Sequence, residues 1–200
     1  LHVRSRRQRQ MCIRDRIRGS VKAGQIFISI APGKTLQWLG ERLGENTKVI
    51  RTMPNTPAMV GEGMTALCVN ELVTEEETAL AVKLCDTFGK TEVIPEHLMD
   101  AVVGVSGSSP AYVFMFLEAM ADAAVADGMP RAQAYKFAAQ SVLGSAKLMQ
   151  ETGKHPGELK DMVCSPAGTT IQAVRVLEEK GFRSAVIEAQ TECVKKAKGM

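Results

Sequence analysis

Residues Lys48–Pro57 read K-V-I-R-T-M-P-N-T-P. Lys48–Met53 reads as a strand. It runs straight into Pro54-Asn55-Thr56-Pro57, a rigid polar loop in which two prolines leave neither helix nor strand as an option. Just upstream, Gln25–Ala31 (Q-I-F-I-S-I-A) is short and β-branched and reads as a buried strand. Pro32-Gly33 makes a turn, and Thr35–Leu43 reads as a helix ending near Gly44. Downstream, Gly63–Val69 reads as a third strand. Thr74–Phe88 reads as a helix with Thr74 as cap and Glu75–Glu77 in its first turn. Gly89 ends that helix, and Lys90–Ile94 is a fourth strand. Strand–helix–strand alternation implies an α/β layer with largely parallel strands. Ligands in such sheets sit beyond the carboxyl ends of the strands. Here those ends are Ile30–Gly33 and Thr52–Pro57, where small residues and proline suit a flat ring lying against the backbone. The plain alternative is that these are ordinary loops.

After Pro95 the period changes. Residues 96–200 carry helical spacing and no convincing strand, which sets a boundary near Pro95–Glu96. Ser106-Gly107-Ser108-Ser109-Pro110 opens a long helix running to about Asp127, with Ser108 or Ser109 as cap and Pro110 in the first turn. That helix is apolar nearly all round, so it must be buried on most sides. A module of about 100 residues rarely buries a helix so fully alone, and an oligomer interface follows. Gly128-Met129-Pro130 separates it from a helix over Arg131–Glu151, and Gly181-Phe182 separates the last two helices. Between them, His155–Val174 (H-P-G-E-L-K-D-M-V-C-S-P-A-G-T-T-I-Q-A-V) reads as helix, small-residue loop and helix. Pro156 suits a first turn, Ser165–Gly168 break the helix, and Thr169 or Thr170 caps the next. The N-terminus of that next helix is an anion site by its free N–H groups and partial positive charge, although an ordinary capped turn would look the same.

The composition excludes several classes. The chain has 200 residues, a net charge of +3 and an apolar share of 45%. Its five cysteines show no C-x-x-C spacing and its three histidines are scattered, so neither a metal site nor a disulfide framework is expected; reduced cysteines in a cytoplasmic protein are. No continuous apolar run approaches the ~20 residues that cross a bilayer. The basic excess lies in Arg4, Arg6, Arg7, Arg9, Arg14, Arg16 and Arg18; without that tail the chain is slightly acidic, and nucleic acid is not an expected partner. Residues 1–20 read as a non-native basic tail. No G-x-G-x-x-G follows a strand, and no P-loop, zinc spacing or G-x-S-x-G occurs. Capping accounts for Ser106 and Ser108 better than a nucleophile does, since no histidine stands to activate them.

Three segments together resemble one family: R-T-M-P-N-T-P (Arg51–Pro57), G-V-S-G-S-S-P-A-Y (Gly104–Tyr112) and H-P-G-E-L-K-D-M-V-C-S-P-A-G-T-T-I (His155–Ile171). They are similar to the pyrroline-5-carboxylate reductases, in matching order and spacing over about residues 21–200. The resemblance implies a partial Rossmann-like parallel sheet over 21–95, the C-terminal part of a dinucleotide-binding domain, followed by an all-helical substrate-binding and dimerisation domain over 96–200. The glycine-rich pyrophosphate loop falls outside the stretch that matches, so the chain alone is expected to be weak or inactive. The implied reaction is hydride transfer from NADPH or NADH to the cyclic imine 1-pyrroline-5-carboxylate, giving L-proline in proline biosynthesis. The implied partner is a second copy, in a homodimer or a larger homo-oligomer, with no membrane involved.

Carried over by residue, Ala167, Gly168, Thr169 and Thr170 resemble the loop that holds the substrate carboxylate by backbone amides. Thr170 resembles the threonine whose hydroxyl lies near the ring nitrogen. Ser165 and Asp161 belong to the same motif, Asp161 as an orienting group. Ala31, Pro32, Met53, Asn55 and Thr56 sit where the family grips the nicotinamide end. No metal is implied. A protonated cyclic imine needs positioning more than a strong acid, which accounts for the lack of a His or Cys constellation. Two rivals remain. One is a related reductase with the same two-domain plan acting on a hydroxy acid or another imine; a hydroxy-acid enzyme needs a cationic base such as Lys or His, and Lys136 and Lys147 read as exposed. A truncated, non-catalytic dimerisation module would bind no cofactor.

Overall fold

The computed structural model describes residues 20–22, 24–44 and 46–199. The expectation of a non-native tail therefore falls, Ser20 apart, outside the described residues. The chain divides into two compact units. One holds the described residues up to Pro110 together with those from Glu192 onward, and the other is Ala111–Thr191.

The first unit is built on four strands in the order β1 (Ile26–Ser29), β2 (Lys48–Met53), β3 (Gly63–Val69) and β4 (Gly89–Val93). Between β1 and β2 runs α1 (Leu36–Leu43). Thr35 caps it by accepting from Trp38 N–H, and it stops at Gly44. Between β3 and β4 runs α2 (Glu75–Cys85), opened by a capping box in which Thr74 and Glu77 satisfy each other's backbone N–H groups. Both crossovers make parallel pairs, with Ser29 opposite Arg51 and Gly63 opposite Gly89. The β2–β3 pair is antiparallel, with Met53 opposite Ala66. The short connection explains it: residues 54–62 contain no crossover helix, and a parallel return needs a dozen or more residues. The sheet is thus mostly parallel, as expected.

Pleating sends alternate residues to opposite faces. Val49, Arg51, Ala66 and Cys68 share one face, where α1 contributes Leu39 and Leu43 and α3 (Met99–Val102) contributes Met99. Ile50 and Leu67 occupy the other, under Ala81 of α2. Helices on both faces bury the central strands, and Val49, Ile50 and Leu67 are fully inaccessible.

Three local expectations are corrected. The first strand is not buried: β1 pairs with β2 alone among the described residues, and Ile28 is exposed. The Pro54–Pro57 stretch is not wholly irregular, because a 3-10 turn begins at Thr56 and runs Thr56–Val60. Pro57 fits its first positions, where a missing N–H costs nothing. Finally, no serine cap begins a helix at residue 108 or 109. A 3-10 turn (Glu96–Leu98) and α3 lead into a π-helical turn, Val103–Gly107, and then into α4 (Ser109–Ala126). Ser108 N–H donates to Val103 O, five residues back, and the Ser108 hydroxyl faces Cys193 Sγ at 3.0 Å.

The second unit contains most of α4, then α5 (Arg131–Thr152), α6 (Pro156–Val163), α7 (Thr169–Glu179) and the start of α8 (Phe182–Lys198). Among its described residues the buried apolar side chains are Ala121, Ala134 and Ala138. Phe114 at 63%, Met115 at 69% and Phe137 at 68% stand exposed. The continuous stretch Glu96–Ala126 has 31 residues and is, by length and composition alone, long and apolar enough to cross a membrane, although no unbroken apolar run signalled this. Its best window is only 6% buried within this chain.

Where β3 and β4 begin side by side, a Cβ on Gly89 would stand 2.0 Å from Gly63 O. Gly89→Ala is expected to destabilise the protein by about 3 kcal/mol, read as a lower urea midpoint with an unchanged slope.

Candidate active site

The carboxyl ends of β1 and β2 lie at one edge of the sheet, because the two strands are parallel. Ala31 and Pro32 leave β1 there, Pro32 exposed and Ala31 half-buried. Ser29 Oγ accepts from Ala31 N–H at 3.3 Å and turns the chain. Met53, Asn55 and Thr56 leave β2 at the same edge, so all five residues expected at the nicotinamide end are brought together. Asn55 Oδ1 accepts from Met64 N–H at 2.8 Å, and its Nδ2 donates to Ser106 O at 3.1 Å. Met53 Cε lies 3.0 Å from the point where a Cβ on Gly107 would stand. Two of the three segments that carry the family resemblance, Arg51–Pro57 and Gly104–Tyr112, therefore touch at two places.

Behind this edge lies a feature the sequence did not signal. Glu96 Oε1 accepts from Arg51 Nη1 at 2.9 Å and from Leu36 N–H, in the first turn of α1, at 2.7 Å. The Arg51 side chain is 9% exposed and that of Glu96 31%. A carboxylate at a helix N-terminus and beside a guanidinium is doubly favoured. The partners lie 60 and 45 residues away in sequence, so no local pattern marks them. Gly33, Thr35, Arg51, Glu96, His97 and Asp100 line a cleft of about 350 Å³ there.

In the second unit, α6 starts at Pro156 with His155 as its cap, Nδ1 accepting from Gly157 N–H at 3.1 Å. Asp161 is ion-paired with Lys160 and remains 74% exposed. The helix breaks at Cys164, and Ala167 takes φ 57°, the one left-handed non-glycine among the described residues. That turn aims Gly168 into the cap position of α7. Neither Thr169 nor Thr170 caps the helix: Gly168 does, and no side chain accepts from the first-turn N–H groups. A Cβ on Gly168 would fall 2.3 Å from Ser165 Oγ and 3.1 Å from Ser165 O, so a side chain here would force the Ser165 hydroxyl to move. Thr169 is exposed and Thr170 half-buried in the first turn. Ser165, Ala167, Gly168, Thr169 and Thr170 thus lie around one open helix end, whereas Asp161 sits in the last turn of α6 with Lys160 as its partner. Lys136 and Lys147 are exposed, the latter paired with Glu151 at 3.6 Å.

Residues 96–200 match the family described as pyrroline-5-carboxylate reductase dimerisation. The pyrroline-5-carboxylate reductase of Escherichia coli strain K12 is 64% identical over 181 residues, which are 90% of this chain and 67% of that protein. The chain belongs to the pyrroline-5-carboxylate reductase family. It spans about two thirds of the length of that relative. A crystal structure of the Streptococcus pyogenes reductase superposes with a TM-score of 0.85 at 36% identity, covering 94% of this chain and 73% of the other. That of the Plasmodium falciparum reductase, with NADP bound, gives 0.88 at 29% identity, covering 95% and 76%. The α/β-plus-helical fold and the NAD(P)H-dependent reductase function of proline biosynthesis, expected from the three motifs, are borne out at the level of the family. The dimerisation match spans the apolar stretch Glu96–Ala126.

Cys68 shares its face of the sheet with Arg51. Burial first, and the Glu96 carboxylate second, push its thiol from 9.0 up to about 11, against a smaller opposing effect of Arg51. The folded state therefore keeps the proton while the unfolded chain loses it. Stability is expected to be independent of this group below about pH 9 and to fall between about pH 9 and pH 11. Urea titrations across that range should show the loss in the wild type and a shallower one in Cys68→Ala.

Proposed function

We propose that the mouth of α7 receives the carboxylate of 1-pyrroline-5-carboxylate, and that the β1–β2 edge receives the nicotinamide end of NADPH or NADH. The observation that carries the first half is the uncapped N-terminus of α7, opened by the left-handed Ala167. Its first-turn N–H groups and partial positive charge suit a carboxylate. Ala167 and Gly168 let that group approach the backbone, and Thr169 and Thr170 add hydroxyls. The second half is supported by Ala31, Pro32, Met53, Asn55 and Thr56 sharing one edge, where the small Ala31 and the rigid Pro32 suit a flat ring. NADP in the Plasmodium falciparum relative supports the phosphorylated cofactor.

Bound at that edge, the dinucleotide supplies a hydride. The protein's own part is positioning. The α7 end fixes the substrate through its carboxylate, so that the ring can present one face. The Thr170 hydroxyl stands near the ring nitrogen and holds the iminium proton's direction. Asp161, with Lys160 beside it, orients this end electrostatically. The imine carries its own positive charge near neutral pH, and no buried acid is required. Ser165 stays against Gly168 and keeps the turn open.

The active form is a homodimer or larger homo-oligomer. Support comes from the second unit, whose buried apolar side chains are alanines while Phe114 and Met115 face outward. Each such side chain forgoes about 1.5–3 kcal/mol unless something covers it. A groove of about 560 Å³ between α4, α5 and α6, lined by Phe116, Met120, Val142, Met149, Leu159 and Val163, offers further apolar surface. The free thiols of Cys68, Cys85, Cys164 and Cys193 support a reducing, cytoplasmic setting.

In the full-length protein, Thr170→Ala is expected to lower kcat/KM for 1-pyrroline-5-carboxylate about 10- to 100-fold, followed as loss of NADPH absorbance. Unchanged turnover and substrate KM would remove Thr170 from the mechanism. For assembly, Met115→Glu is expected to turn the wild-type oligomer into monomer at micromolar concentration in sedimentation velocity. A wild-type monomer would refute the interface.

A further inference from the structure

We infer that Asn55 is a positioning residue rather than a group that binds the cofactor: its side-chain amide clasps the β2–β3 edge loop to the π-helical turn Val103–Gly107. The inference rests on reading that edge as the nicotinamide end.

Both ends of the amide are engaged inside the protein. Met64 N–H is a donor and can meet only Oδ1, at 2.8 Å. Ser106 O is an acceptor and can meet only Nδ2, at 3.1 Å. The two main-chain partners therefore fix which way the amide points. They lie 9 residues after Asn55 and 51 residues after it, so the side chain spans two segments that nothing local would hold in register.

The Ser106 carbonyl is available for a reason written into the chain. In a regular helix it would accept from the N–H of residue 110, and Pro110 has none. The turn also slips register, with Ser108 N–H bonding Val103 O at 2.8 Å. Asn55 supplies the missing donor. Met53, packed against Gly107, adds an apolar contact from the same loop to the same turn. The clasp acts on catalysis through Met53 and Thr56, whose positions it fixes, and not by touching the ring.

Two substitutions separate the roles. Asn55→Asp keeps an oxygen for Met64 N–H but sets a carboxylate against the Ser106 carbonyl. Asn55→Ala loses both bonds. Hydrogen–deuterium exchange on the full-length protein should show residues 103–110 exchanging about tenfold faster in both variants, and residues 64–69 faster only in Asn55→Ala. Unchanged exchange at 103–110 in Asn55→Asp would overturn the clasp, whatever the enzyme's activity. In steady-state kinetics both variants should lose kcat about tenfold with the KM for NADPH within about twofold of wild type. A raised KM for NADPH with kcat preserved would instead make Asn55 a cofactor-contacting group and overturn the inference. A wild-type protein that failed to reduce 1-pyrroline-5-carboxylate would sink the functional reading alone, and the exchange result would still decide the clasp.

Discussion

A carbonyl without its helical donor shapes the sheet-bearing unit. Pro110 cannot donate to Ser106 O, and that carbonyl, in a turn widened over Val103–Gly107, takes a side-chain donor from Asn55. A buried carbonyl left unpaired would cost about 1–3 kcal/mol. One proline thus links a helix start to a strand end 51 residues earlier in sequence. The Glu96 carboxylate makes a parallel link behind the same edge, joining Arg51 of β2 to the first turn of α1. The edge that carries Ala31, Pro32, Met53, Asn55 and Thr56 is held by the polar contacts of Asn55 together with the apolar packing of Met53.

The other unit works by a different economy of contacts. Its helices meet through alanines, which lets backbones come close but buries little apolar area. The large side chains of α4 and α5 face outward. This agrees with a family whose shared feature over these residues is dimerisation. The end of α7 proposed to receive the carboxylate asks for nothing large either. Its turn is made by Ala167 in a left-handed conformation and by Gly168, which lies close against Ser165.

Local features were legible in the sequence. Gly44 as a helix stop and Thr74 as a helix cap act through partners three or four residues away and stand as read, while Thr35, read inside its helix, is the cap of it. The residues around the α7 mouth were legible as a helix–loop–helix, because Pro156 and Gly168 punctuate it. The capping role read for Thr169 or Thr170 failed because Gly168 already occupies the cap position. The serine caps near residue 108 failed for a non-local reason: the helix already begins upstream, and a π turn carries it through. The antiparallel β2–β3 pair was missed because alternation of strands and helices says nothing about a strand pair joined without a helix. Glu96 and the two-ended use of Asn55 had no signal at all, since their partners are distant in sequence.

The facing starts of β3 and β4 have a further consequence. A Cβ at Gly89 would meet the main-chain oxygen, carbon and nitrogen of Gly63, and one at Gly63 would meet the main-chain oxygen of Phe88 as well as Ala58. The obstruction at Gly89 is peptide against peptide, so trimming a neighbouring side chain cannot relieve it. The two positions constrain one another through their main chains: a side chain at Gly89 finds no neighbouring side chain whose loss would make room for it.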